Sequence, residues 1–221
     1  MAQNRSSAVM QQRSEPHESL DDFPTPPWAT RALCEQLKLL GFDLPRQSVW
    51  EPACNRGYMA RVLGEYFETT YASDIHDYGY SQQNNVLDFL IGWDPDVPHF
   101  DWLITNPPFR LAVRFIIRGL LVADYVAVLV RSAFDEGQNR YKDLFQNHPE
   151  IYAMPFVERV VMWQGVLLDP DVKVWQPAKD GDGGKMVKPS TATAYQWLIF
   201  GKNSNDKTQT IKKGLLLVVN Y

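Results

Sequence analysis

The chain has 221 residues, 45% of them apolar and 22% charged, with a net charge of −4. That length and apolar share suit one globular domain with a sizeable core, and the acidic balance excludes a non-specific nucleic-acid coat. No apolar run approaches the roughly 20 residues that cross a bilayer, and Met1 to Asp22 lacks the apolar core of a secretion signal, so a cytoplasmic protein without membrane contact is expected.

Residues 1–22 read as a flexible tail. The prolines of Phe23-Pro24-Thr25-Pro26-Pro27-Trp28 force an extended path. A helix is predicted over 28–40, with Leu33, Leu37 and Leu40 on one stripe and Gly41 as its stop. Ser48-Val49-Trp50 is a short strand running into Glu51-Pro52-Ala53, and Gly57 opens a second helix carrying Met59, Val62, Leu63 and Phe67. Thr69 to Asp74 is a strand ending in an acid, and a third short strand ends near Val86-Leu87-Asp88-Phe89. Residues 92–100 form a loop. Asp101 to Thr105 is a strand of buried type leading into Asn106-Pro107-Pro108-Phe109; a helix over 111–123 and an apolar strand, Tyr125 to Val130, follow. Residues 151–163 contain β-type stretches, and the lysine- and glycine-rich run 176–190 reads as a mobile loop. Thr193 to Phe200 is a strand, and Leu215 to Tyr221 is β-prone and expected on a sheet edge.

Strands alternating with helices predict a Rossmann-like α/β fold: a central, mostly parallel sheet with helices on both faces and ligands beyond the carboxyl ends of the strands. Glu51, Asp74, Asp88, Asn106 and Arg131 all fall at or just past such ends. Cys34 and Cys54 are too few for a disulfide framework, and His17, His76, His99 and His148 are scattered, so no metal is expected.

Two segments carry chemistry. In Glu51-Pro52-Ala53-Cys54-Asn55-Arg56-Gly57, an acid at a strand end, a tight turn of small residues and a helix opening with Gly57 make a nucleotide cradle. Asn106-Pro107-Pro108-Phe109 suits an exocyclic amine, a poor nucleophile because its lone pair is delocalised into the ring. The Asn106 side-chain oxygen and the Pro107 carbonyl are acceptors for the amine hydrogens, and the two prolines stiffen the turn that presents them. Phe109 offers a stacking face worth ~1–3 kcal/mol, against a few kcal/mol to flip a base out of a duplex.

The cradle resembles the first motif of the class I methyltransferases, with Gly57 at its second glycine and Asn55 in place of its first; Asn tolerates left-handed backbone better than most residues. With NPPF after an apolar strand, the chain over residues 22–201 resembles the amino-group DNA methyltransferases, especially the short phage and prophage N6-adenine enzymes. Phe23 to Trp28 looks like the family segment that wraps the methionine end of the cofactor, giving Phe23, Thr25 and Pro26 as contacts. Glu136 to Tyr141 and Ala194 to Trp197 look like further family landmarks.

The resemblance implies S-adenosylmethionine as cofactor, held by Phe23, Thr25, Pro26, Glu51, Pro52, Ala53, Asn55 and Gly57. It makes Asp74 the acceptor for the ribose hydroxyls and Asp88-Phe89 the adenine contact. It implies direct in-line transfer at Asn106, Pro107, Pro108 and Phe109 to N6 of adenine in duplex DNA. Residues 1–110 hold 8 Lys+Arg against 15 Asp+Glu, whereas 111–221 hold 14 against 11, so a polyanion is expected at the second half. Arg131, Arg140, Lys179, Lys185 and Lys188 are the candidate phosphate contacts, with 163–192 as the target-contacting region of a 23–201 methyltransferase domain and 202–221 as a C-terminal tail. An RNA or protein-glutamine methyltransferase with the same NPP site, or a degenerate cofactor-binding or interaction protein of this fold, are the alternatives. No Pro-Cys dipeptide, GxSxG or P-loop lysine motif occurs.

Overall fold

A computed structural model describes residues 21–91, 98–169, 171–177, 183–201 and 212–213. The first helix, α1 (Pro27–Leu39), begins on a proline, which loses nothing where the backbone N–H has no helical partner. It stops where expected: Gly41 is left-handed (φ 93°), its N–H donates to the Lys38 carbonyl, and the Phe42 N–H reaches back to Leu37.

The described residues contain ten strands: β1 (Ser48–Glu51), β2 (Thr69–Asp74), β3 (Asn85–Val86), β4 (Phe100–Thr105), β5 (Ala123–Arg131), β6 (Tyr152–Pro155), β7 (Val174–Pro177), β8 (Gly184–Val187), β9 (Tyr195–Gly201) and β10 (Lys212–Lys213). Eight form one sheet in the order β10-β6-β9-β5-β4-β1-β2-β3. Within it only β9 runs antiparallel to its neighbours β5 and β6. The helices α2 (Tyr58–Tyr66) and α3 (Ala112–Val122) complete the regular elements that shape the site.

The central strands are buried on both faces, which explains their continuous apolar runs. Alternate residues divide cleanly. Val49, Trp102, Ile104, Ala127, Leu129 and Trp197 join the core under α1 and α2. Trp50, Leu103, Val126, Val128, Val130 and Leu198 join the core under α3. Buried tryptophans keep a polar partner: Trp197 Nε1 donates to the Ala29 carbonyl at 3.1 Å, pinning α1 to β9. The chain runs outward from β1 to β2 and β3, then returns to β4 on the other side of β1. That reversal opens a crevice above the carboxyl ends of β1 and β4.

Of three local expectations, one needs correction. The third short strand, Asn85–Val86, ends near Val86 as expected, with Asp88 and Phe89 in the turn just past it. The run read as a mobile loop over 176–190 includes strand: β7 and β8 pair antiparallel as a separate two-stranded sheet, with Trp175 opposite Met186. Its prolines and glycines mark strand ends, not an absence of strands. The apolar residues 215–221 lie outside the described residues, and the edge partner of β6 is Lys212–Lys213. No helix among the described residues is long and apolar enough to cross a membrane.

The connection from β1 to α2 fixes where the crevice begins. Asn55 is left-handed at φ 49° and Gly57 at φ 74°. A Cβ on Gly57 would lie 2.5 Å from the Tyr80 ring, which packs directly on that backbone. Gly57→Ala therefore meets both left-handed strain and overpacking. It should cost about 2–4 kcal/mol, read as a loss of several degrees in a thermal melt; an unchanged midpoint would remove Gly57 as a determinant of the turn.

Candidate active site

A cleft of about 1270 Å³ opens above the carboxyl ends of the parallel strands. Of the expected cofactor residues, Phe23, Thr25, Glu51, Pro52, Ala53, Asn55, Asp74, Asp88 and Phe89 line it. Gly57 sits behind the wall at the start of α2, and Pro26 precedes α1 with its backbone extended. Asn106, Pro108 and Phe109 line the cleft, while Pro107 is buried beneath them.

Glu51, at the end of β1, is 2% exposed and its Oε2 has no hydrogen-bond partner. Burial pushes its carboxyl well above the usual range, the Asp74 charge adds to this, and the Ala60 backbone N–H works the other way. A buried acid left half satisfied at a cleft wall fits a ligand that brings a cation or donor to it. Asp74, at the end of β2, accepts the Asn55 N–H at 2.8 Å on one oxygen and the His76 N–H at 3.0 Å on the other. Burial raises its pKa, and those two N–H groups oppose the rise. Asp88 is turned back on its own chain, accepting the Leu90 N–H at 2.8 Å. Phe89 is mostly core, its ring 5.1 Å from Trp50 and 5.0 Å from Phe115.

The turn Asn106 to Phe109 is held by the segment ahead of α1. The Asn106 Nδ2 donates to the Phe23 carbonyl at 3.2 Å and the Thr25 hydroxyl at 3.1 Å, and lies 3.6 Å from the Met162 sulfur. A carbonyl only accepts, so the amide nitrogen must face Phe23 and the oxygen must face away. That oxygen is buried without a partner. Phe109 donates its N–H to Asp21 at 2.9 Å. Its ring sits 6.3 Å from Phe23 and 6.2 Å from Tyr195, with the Arg131 guanidinium 4.9 Å above it.

Sequence reasoning missed the residues that tie these parts together. Asp22 accepts from Asn55 Nδ2 at 2.8 Å and from Arg56 Nη1 at 2.8 and 3.0 Å. Desolvation pushes the Asp22 carboxyl up, but the Arg56 and Asn55 hydrogen bonds and the Arg56 charge outweigh it, and its pKa is lowered. The Asp22 carbonyl also accepts the Gly165 N–H at 2.8 Å. Arg56 in turn lies 5.3 Å over the Tyr78 ring. No local motif signals such contacts, because the partners are far apart in sequence.

The wall is electrically divided. Glu51, Asp74 and Asp88 come from the ends of β1, β2 and β3; Arg110, Arg114, Arg131 and Arg140 come from the start of α3 and the end of β5 onward. The expected phosphate contacts separate into groups. Arg131 points into the cleft over Phe109. Arg140 is committed to the Ala133 carbonyl at 3.0 Å and to the Phe134 carbonyl. Lys185 stands exposed on β8, and Lys188, beyond that strand, pairs with Asp171 at 3.4 Å. Lys179 lies outside the described residues. No cluster of metal-ligating side chains occurs among the described residues.

No protein-family model and no curated protein sequence matches the chain. Solved structures do. A candidate RNA methyltransferase from Pyrococcus horikoshii superimposes with a TM-score of 0.54 at 13% identity, over 86% of this chain and 91% of that one. A candidate class I S-adenosylmethionine-dependent methyltransferase from Listeria monocytogenes gives 0.56 at 15% identity, over 87% of this chain and 64% of that one. The methyltransferase subunit of a type I restriction–modification system from Streptococcus thermophilus gives 0.56 at 13%, over 82% of this chain and 45% of that one, so the chain spans less than half its length. At such identities the likeness is one of fold: the chain has the Rossmann-like α/β architecture of the class I methyltransferases.

Proposed function

We infer that the protein is an S-adenosylmethionine-dependent methyltransferase acting on an exocyclic amine, N6 of adenine in DNA. The observation that carries this reading is the Asn106 amide, whose nitrogen is locked onto Phe23 and Thr25 while its buried oxygen has no partner among the described residues. An unpaired buried acceptor is costly, and an amine hydrogen from a substrate would relieve it. Accepting that hydrogen shifts the amine toward sp³ character and frees its lone pair, with little rearrangement of the turn.

The cofactor supplies an electrophilic methyl on a sulfonium. The acid-lined half of the cleft suits that cation. Glu51 has an oxygen to give to a cationic or donor group, and Asp74, its oxygens already oriented by two backbone N–H bonds, keeps lone pairs for hydroxyl donors. Phe109 offers the target ring a stacking surface. The methylated amine loses its proton to water, and no covalent enzyme intermediate is required. The arginine-bearing half of the wall and the exposed hairpin β7–β8 within 163–192 are suited to the phosphates of a nucleic acid. The restriction–modification neighbour supports DNA as substrate; the Pyrococcus neighbour makes RNA the second reading.

The decisive assay is transfer of labelled methyl from S-adenosylmethionine to unmethylated duplex DNA, with mass spectrometry of the digested nucleosides. N6-methyladenine is the expected product. Asn106→Ala should lower kcat by about 10²–10³-fold while cofactor binding, measured by calorimetry, holds. Label found only in RNA or protein moves the substrate; a fully active Asn106→Ala removes the proposed role of the turn.

Glu51 gives a second, independent prediction. Its folded pKa lies above the ordinary value of 4.5, so the native state holds more protons than the unfolded chain between those two values. Its contribution is therefore fully favourable below about pH 4.5 and is lost as pH rises through the folded pKa. Glu51→Gln should stabilise the ligand-free protein at neutral pH, with the gain shrinking toward pH 4.5. The same change should weaken cofactor binding by about tenfold or more, the loss of one charge-assisted contact. Thermal melts across pH, with and without cofactor, read both effects; equal destabilisation at every pH would contradict the assignment.

A further inference from the structure

We propose that Arg131 occupies the stacking place of the target base in the free protein, and exchanges it for a backbone phosphate when the base enters. The inference rests on the amine-methylation reading above and concerns how that site admits its substrate. Arg131 is the last residue of β5 and lines the cleft together with Phe109. Its guanidinium lies 4.9 Å over the Phe109 ring. Phe109 is held in place by Phe23 and Tyr195 at its sides and by the Asp21 contact at its backbone. Tyr195 is itself paired with Arg131 across β5 and β9, so ring and cation are set by the same strand pair.

A planar cation and a planar base satisfy an aromatic face in the same way, and one position over that ring holds one of them. The cation leaves an account open, however. Arg131 Nε is buried and has no hydrogen-bond partner among the described residues, so the stacked state carries an unmet donor. Leaving the ring for an anion lets the guanidinium make forked, charge-assisted hydrogen bonds. The incoming base recovers the stacking that the cation gives up. The ring is thus never left bare, and the strand that delivers the base also brings the phosphates that receive the arginine.

Two measurements test the exchange. In protein labelled with ¹⁵N-arginine, the Arg131 Nε–H signal should carry a ring-current shift that Phe109→Leu abolishes. Saturation with an unmethylated adenine duplex, in the presence of S-adenosylhomocysteine, should release that shift. A signal that stays in place while DNA is bound overturns the exchange. In steady-state kinetics, Arg131→Ala should fall below the wild type at low salt and draw level with or pass it at high salt. One lost phosphate contact amounts to about eightfold over a tenfold rise in salt. A variant slower by one constant factor at every salt, or unchanged throughout, also overturns it. Arg131→Lys keeps the charge and should keep the salt dependence, which guards against a folding defect in the alanine variant. If no nucleic acid is bound or methylated, the underlying reading fails; transfer with an unmoved Arg131 signal defeats the exchange alone.

Discussion

The carboxylate of Asp22 is the contact on which the geometry of the cleft turns. It receives the Asn55 amide and the Arg56 guanidinium, so it clamps the loop between β1 and α2. The residue before it, Asp21, accepts the Phe109 N–H and clamps the turn after β4. Two neighbouring carboxylates therefore span the two loops that flank the switch point of the sheet. The segment continues through Phe23 and Thr25, whose oxygens fix the Asn106 amide. The strap, the cradle and the turn are one hydrogen-bonded unit, and the sheet supplies the rigid base from which both loops project.

That unit explains how the cleft tolerates so many buried polar groups. Several backbone donors in the two turns have a side-chain acceptor aimed at them: Asp74 takes the N–H of Asn55, and Asp21 that of Phe109. Three residues of the cleft wall carry a buried side-chain atom without a partner among the described residues: Glu51 Oε2, Asn106 Oδ1 and Arg131 Nε. One lies at the end of each of β1, β4 and β5, the three adjacent central strands. Other buried side-chain atoms without a hydrogen-bond partner among the described residues include Trp28 Nε1, Gln83 Oε1 and the hydroxyls of Thr30, Thr70 and Thr105. Groups left unpaired together at strand ends around one crevice are ones that a ligand in it could satisfy.

Much of this was legible in the sequence because it obeys local rules. Gly41 ended α1 as a left-handed cap, the apolar runs became strands buried on both faces, and the polar residues at their ends reached one cleft. What was not legible depends on partners distant along the chain. Asp21 and Asp22 look like the end of a polar tail until the fold brings Phe109 and Arg56 to them. Arg140 looks like a surface cation until the turn at Ser132–Asp135 presents carbonyls to it. The hairpin β7–β8 was hidden because Pro177, Gly183 and Gly184 punctuate it as strongly as they would a loop. Phe89 stands at the cleft and also packs into the core against Trp50 and Phe115, a second role that the short Asp88-Phe89 pair could not reveal.

Asn55 is the most informative departure from the resemblance. A glycine at that position would adopt φ 49° without cost, whereas asparagine accepts mild strain. The side chain returns more than the strain removes. Its nitrogen donates to Asp22, and its oxygen accepts the Arg56 N–H at 2.7 Å. Glycine has no atoms with which to do either. Asparagine thus exchanges conformational ease for a direct link between the cradle and the strap, and through Asp21 to the turn that carries Asn106. The same backbone N–H that needs the left-handed bend also binds Asp74. One residue sets the bend, orients the acid at the end of β2 and fastens the strap, which is why an apparent defect in the glycine pattern is consistent with an intact site.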